Sequence, residues 1–299
     1  MKELRETQLQ FINPLDFLKN QVLMHIACFF VWIGGLLWLF FSKVGRPYRI
    51  IGIMYIVVVA LLTIMNGEDY YTLGAYPMLF AAGGVWLEQV TRTSGSATSK
   101  KLYWLRYASV AVMLLLFVPI IPLALPVWKP AELAAYYKKT GFYKAGILKW
   151  EDLKEHELPQ DFADMISWKE AGDKVSAIYA SLTEEQKKST LIFCRNYALA
   201  GAVTYHGKNL PQVTTDNASF LFWMPEKYNV NHLLLVGRHF PESDDMVFQQ
   251  FEKFTILDSI TTPMARERGV KIILFKNGNE QLNPMIEAGI KKMKDEFRR

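Results

Sequence analysis

Hydrophobic and polar positions divide the chain near residue 128. Before it, apolar residues come in long blocks; after it, they come in short runs broken by charge. Four blocks read as membrane spans: Val22–Phe41, Ile50–Met65, Thr72–Leu87 and Tyr107–Trp128. The first and last are apolar on every face, without the polar stripe of a helix on a soluble core. A helix needs about 20 apolar residues to cross a bilayer, and the middle two blocks approach that only with their aromatic flanks. The expectation is an integral membrane α-helical part over 1–128, with about four spans (22–41, 50–65, 72–87 and 107–128).

From Pro130 the pattern changes to strands alternating with helices. Short β-branched or apolar runs at Ser189–Asn196, Gln212–Thr215, His232–Gly237, Phe254–Ser259 and Val270–Phe275 read as strands. Helical stretches fall at Ala131–Lys139, Trp168–Ser181, Tyr197–Gly207, Asp245–Lys253 and Asn279–Phe297. Such alternation implies one soluble α/β domain over 129–299 with a mostly parallel sheet, covered on both faces. Ligands of these sheets gather at the carboxyl ends of strands. Asn196 and Tyr197 follow the first expected strand; Asp216, Asn217 and Ser219 follow the second, with Trp223 just beyond. Asn and Asp at strand ends also serve as turn formers, and both roles stay open for them here.

Charge adds an orientation. Residues 1–125 hold 10 Lys and Arg against 6 Asp and Glu, while the rest holds 24 against 23. The basic excess therefore sits in short loops between apolar blocks, which excludes a nucleic-acid-binding face. Lys43, Arg46 and Arg49 mark one such loop, and Arg92, Lys100, Lys101 and Arg106 another. Between them, the NGEDYY stretch before the third block has two acids and no base. The positive-inside rule places the basic loops in the cytoplasm. Alternation over four spans then puts NGEDYY and the α/β domain outside the cytoplasmic (inner) membrane. Residues 1–20 have mixed charge and lack a secretory pattern, so they read as a loop between spans of a longer protein. Cys28 lies in an apolar block and Cys194 in the soluble half, and the five histidines are scattered. No spacing points to a disulfide, a metal site or a bound cofactor.

Four stretches, in order along almost the whole chain, carry a family likeness: NGEDYYTLGAYPMLFAAGGVWLE, LPQDFADMISW, NYALAGAVTYHG and TDNASFLFW. Together they resemble the C-terminal part of bacterial family 39 glycosyltransferases, of the GT-C class of integral membrane transferases. The resemblance implies transfer of a sugar from a polyprenyl-phosphate donor to an acceptor outside the cytoplasm. It makes Glu68, Tyr70, Tyr71, Tyr76 and Pro77 donor-binding candidates, the tyrosines at the headgroup level and Pro77 breaking or kinking a helix towards a cavity. The family carries lysine where this chain has Glu68, and residues 167, 198 and 218 stand where Gly, Gly and Ser are expected. The family's catalytic acid belongs to a first outer loop with no counterpart here, which assigns no catalytic residue to this chain. That implies a separately encoded N-terminal half as partner, beside the bilayer and the lipid-linked sugar. The alternative is a non-catalytic, membrane-anchored module whose outer domain binds a sugar or a partner.

Overall fold

The computed structural model describes residues 14–92, 102–152, 154–238 and 246–298. The chain divides into two compact units, Met1–Trp128 and Lys129–Arg299.

The first unit contains helices α1 (Pro14–Leu23), α2 (Phe29–Phe41), α3 (Arg49–Ile64), α4 (Tyr76–Thr91), α5 (Leu105–Phe117) and the short α6 (Ile121–Ala124). Single 3-10 turns extend two of them into continuous helices, Arg46–Ile64 and Leu105–Ala124, each long and apolar enough to cross a membrane. The pair α1 and α2 passes the same test jointly but is bent by 60° at the break. The described residues therefore offer two spans, or three with the bent pair, instead of about four. The block expected at 72–87 accounts for the difference. Asp69–Ala75 winds as a 3-10 helix, so the α-helical run begins only at Tyr76 and is 16 residues long. Pro77 lies in the first turn of α4. There its missing N–H is no loss, so it starts the helix and does not kink it.

Helices α2 and α4 meet through bare backbone. A methyl group on Gly35 would stand 2.2 Å from the Leu79 carbonyl oxygen, and one on Gly83 would stand 2.1 Å from that of Val31. Small residues of this kind let apolar helices approach closely where no water drives them together. Trp38 Nε1 seals the contact by donating to Gln89 Oε1 at 2.8 Å.

The second unit contains α7 (Pro130–Thr140), α8 (Gln160–Asp164), α9 (Trp168–Ala180), α10 (Glu184–Lys188), α11 (Tyr197–His206) and α12 (Leu282–Phe297). Its five strands are β1 (Thr190–Cys194), β2 (Val213–Thr214), β3 (His232–Gly237), β4 (Phe251–Ser259) and β5 (Lys271–Gly278), in the order β2-β1-β3-β5-β4. The sheet is mixed, not mostly parallel. β1 runs parallel to β2 and β3, but β5 is antiparallel to both β3 and β4, and the β4–β5 ladder is the longest of the four. Parallel neighbours need a crossover of a dozen or more residues, usually a helix. α11 supplies one between β1 and β2. No helix joins β4 to β5, whose short connection contains Pro263 and Gly269, so β5 must return antiparallel. Of the helix expected at Asp245–Lys253, Asp245 lies outside the described residues, and the rest is instead a 3-10 turn, Phe248–Gln250, followed by the start of β4.

Side-chain alternation sends two sets of residues to opposite faces. Ile192, Cys194, Leu234, Val236, Ile272 and Leu274 pack with α9 and α11. Leu191, Phe193, Leu233, Leu235, Ile273 and Phe275 pack towards α12 through Leu282 and Ile286. Glu170 ties α9 to the β4–β5 connection, accepting from Thr261 N at 2.8 Å and Thr262 N at 3.0 Å and from both hydroxyls. Desolvation opposes its charge, but the bonds from Thr262 and Thr261, with Lys174 3.0 Å away, outweigh it and hold the carboxyl below the usual range.

Candidate functional site

The donor-binding candidates of the membrane unit fall into two environments. Tyr76 is buried at 1% exposure within a polar knot: its hydroxyl lies 2.8 Å from Gln21 Oε1 and 3.2 Å from the Tyr55 hydroxyl. Thr72 Oγ1 donates to the same Gln21 oxygen at 2.6 Å. Gln21 and Thr72 are themselves buried, so the knot satisfies polar groups inside an apolar bundle. Tyr76 holds helices together there and does not face an opening. Tyr70 and Tyr71 are different. Both are more than half exposed, and their rings pack edge to face 4.8 Å apart. The turn that carries them is pinned by Asn20 Nδ2, which donates to Asp69 Oδ2 at 2.7 Å. Glu68 is half-buried in extended backbone just before that turn.

In the α/β unit the strand order places a switch point between β1 and β3, because β2 lies on one side of β1 and β3 on the other. Open α/β sheets bind ligands outside the carboxyl ends of strands at such a point. An apolar cleft of about 190 Å³ runs between β1, β3 and α12, from Val230 and Leu233 at the start of β3 to Arg195 and Asp216 past the carboxyl ends of β1 and β2. Leu191, Phe193 and Leu233 form its wall on the sheet, Met285 and Met293 that on α12, and Arg195 and Asp216 are its two charged residues. The Arg195 guanidinium lies 5.1 Å from the centroid of the Phe248 ring. Gly237 ends β3 beside it; a methyl group there would stand 2.5 Å from Arg195 Cγ, so glycine makes room for this arginine.

The remaining expected ligand residues separate. Asn196 Oδ1 caps α11, accepting from Leu199 N at 2.7 Å, and its side chain also hydrogen-bonds Glu267. Glu267 is buried at 8% exposure. Burial pushes its carboxyl above the usual range, and the charges of Arg238 and Arg266 draw it partly back. The cap explains Asn196 as a fold-making residue. Tyr197 is exposed on the first turn of α11. Asn217 and Ser219 are exposed around the 3-10 turn Ala218–Trp223, where Asn217 N donates to Thr215 Oγ1 at 3.2 Å. Trp223 is exposed at the β2 edge, outside the cleft that Asp216 lines. Sequence reasoning did not single out Phe248, because it fell within an expected helix. The methionines of α12 carried no signal beyond an ordinary apolar stripe. Among the described residues, no group of three or more His, Cys, Asp or Glu could hold a metal ion. Cys28 and Cys194 are both free thiols.

These features define a membrane-associated protein with a mixed-sheet, three-layer α/β domain. The chain matches no protein-family model, and no curated protein or solved structure is recognisably similar to it.

Proposed function

We propose that this chain forms the donor-facing membrane helices and the outer α/β domain of a glycosyltransferase that uses a polyprenyl-phosphate-linked sugar. In this reading it is a multi-pass protein of the cytoplasmic membrane with the α/β domain outside. In this reading, as the family resemblance implies, a carboxylate of a separate N-terminal part acts as the general base that takes the acceptor hydroxyl's proton. The observation that carries the reading is the exposed Tyr70–Tyr71 pair on a pinned turn between apolar helices. A lipid-linked donor keeps its phosphate at the bilayer surface, where a tyrosine ring can lie among headgroups with its hydroxyl wet. The order of the four family-like stretches supports the same reading.

A photoreactive polyprenyl phosphate, offered to the full chain in lipid nanodiscs, tests it. Replacing both tyrosines (Tyr70→Ala with Tyr71→Ala) should cut labelling about tenfold, equivalent to roughly 1.4 kcal/mol of binding. Equal labelling of variant and parent would remove the support. A second reading, a non-catalytic binding module, is favoured by Glu68. At about 4 Å in a partly wet site, a carboxylate where a phosphate-meeting lysine is expected changes the contact by several kcal/mol. It is distinguished by an absence of labelling in the parent chain.

A further inference from the structure

A second opening lies at the β2 edge of the sheet, with a volume of about 640 Å³. The last turns of α11, the loop leading to β2 and the turn Ala218–Trp223 enclose it. Two large rings stand at it with little cover: Trp223 is 63% exposed and Tyr205 is 83% exposed. Trp223 is not loose, because Phe220 packs against it at 4.7 Å between centroids. Gln212 Nε2 donates to the Trp223 carbonyl oxygen at 3.2 Å, which fixes that amide at the rim. Asn209, exposed and in left-handed backbone at φ 54°, brings a second amide to the opening. None of the lining residues carries a charge.

We propose that this opening binds a neutral glycan. A sugar ring has an apolar face of C–H groups that stacks on an aromatic face, and a rim of hydroxyls that seeks amides and hydroxyls. Trp223 and Tyr205 supply the first, and Asn209 and Gln212 the second. Binding sites of this kind combine aromatic walls with a few placed polar groups. An anionic ligand would lose its hydration without gaining a countercharge from these walls. A peptide added as a further strand fits less well, because β2 spans only two residues and offers little edge to pair with. A glycan here would be held whether or not the membrane helices engage a lipid-phosphate donor.

The test is saturation-transfer NMR on the full chain in nanodiscs, without donor lipid, using mannotriose, maltotriose, chitotriose and the anionic trigalacturonate. At least one neutral trisaccharide should receive saturation, and Trp223→Ala should weaken its binding at least tenfold. Trp223→Phe, which keeps a ring, should restore most of the loss, and trigalacturonate should stay silent. Thermal unfolding of each variant reports whether the fold is intact; should Trp223→Ala unfold, Tyr205→Ala carries the same expectation. Silence from all three neutral sugars, binding that neither alanine variant weakens, or stronger binding of trigalacturonate would overturn the proposal.

Discussion

Ser167, the residue just before α9, has a backbone φ of 81°. A side chain in that region brings Cβ against the backbone and costs roughly 1–2 kcal/mol. Its hydroxyl is also buried with no hydrogen-bond partner among the described residues. Glycine, the residue that the family resemblance leads one to expect there, would remove both penalties while adding some freedom to the unfolded chain. Ser167→Gly should therefore stabilise the α/β domain by about 1 kcal/mol, with a rise of roughly 2–4 °C in its melting temperature. Ser167→Ala removes the hydroxyl but keeps the strain, so it should fall between the two. A lower melting temperature for Ser167→Gly would contradict this account.

Among the elements, the α2–α4 contact is the one that a single substitution should break. Gly83 lies against the Val31 backbone, whereas a side chain on Gly84 would meet nothing within 4 Å. Gly83→Leu should cost about 1–3 kcal/mol through overpacking. Gly84→Leu, one position along the same helix, should be close to neutral. Thermal scans of the full chain in detergent compare them directly, and equal stability for the two would show that the helices do not meet as described. The contact was hidden in the sequence because glycine and alanine in α4 read there only as a softened apolar block. Pro77 was visible, but its role depended on where the helix starts, and Asp69–Ala75 settled that by winding as a 3-10 turn. Periodicity cannot tell such a turn from the first turns of an α-helix.

Over the whole molecule, the change of pattern near residue 128 and the places of the five strands could be read from the sequence, save for the first three residues of β4. Each of those strands is a compact β-branched or apolar run between turn residues, and the local signal is strong. Their directions could not be read, because direction depends on which connections hold helices. The acids and amides of residues 245–253 imitated a helix, while the pairing of Phe251 with Gly278 and of Lys253 with Lys276 draws the last three of these residues into β4. The candidate site was legible at Asp216, two residues past the end of β2. It was not legible at Met285 and Met293, which the return of α12 brings to the cleft over a long sequence distance.

The insertion of β5 between β3 and β4 has a consequence for how the protein is made. During synthesis the chain emerges from its amino end, and β3 is complete at Gly237, well before its partner β5 ends at Gly278. Until then Leu233, Leu235 and Val236 belong to an unfinished rim, open to wrong pairing with another nascent chain. Ribosome-bound chains that expose only residues up to 270 should leave the β3 amides open to hydrogen exchange, and those that expose α12 should protect them. Protection of β3 in the shorter chains would mean that the first three strands close on their own. Otherwise the ribosome must deliver nearly the entire domain before its central strand is safe.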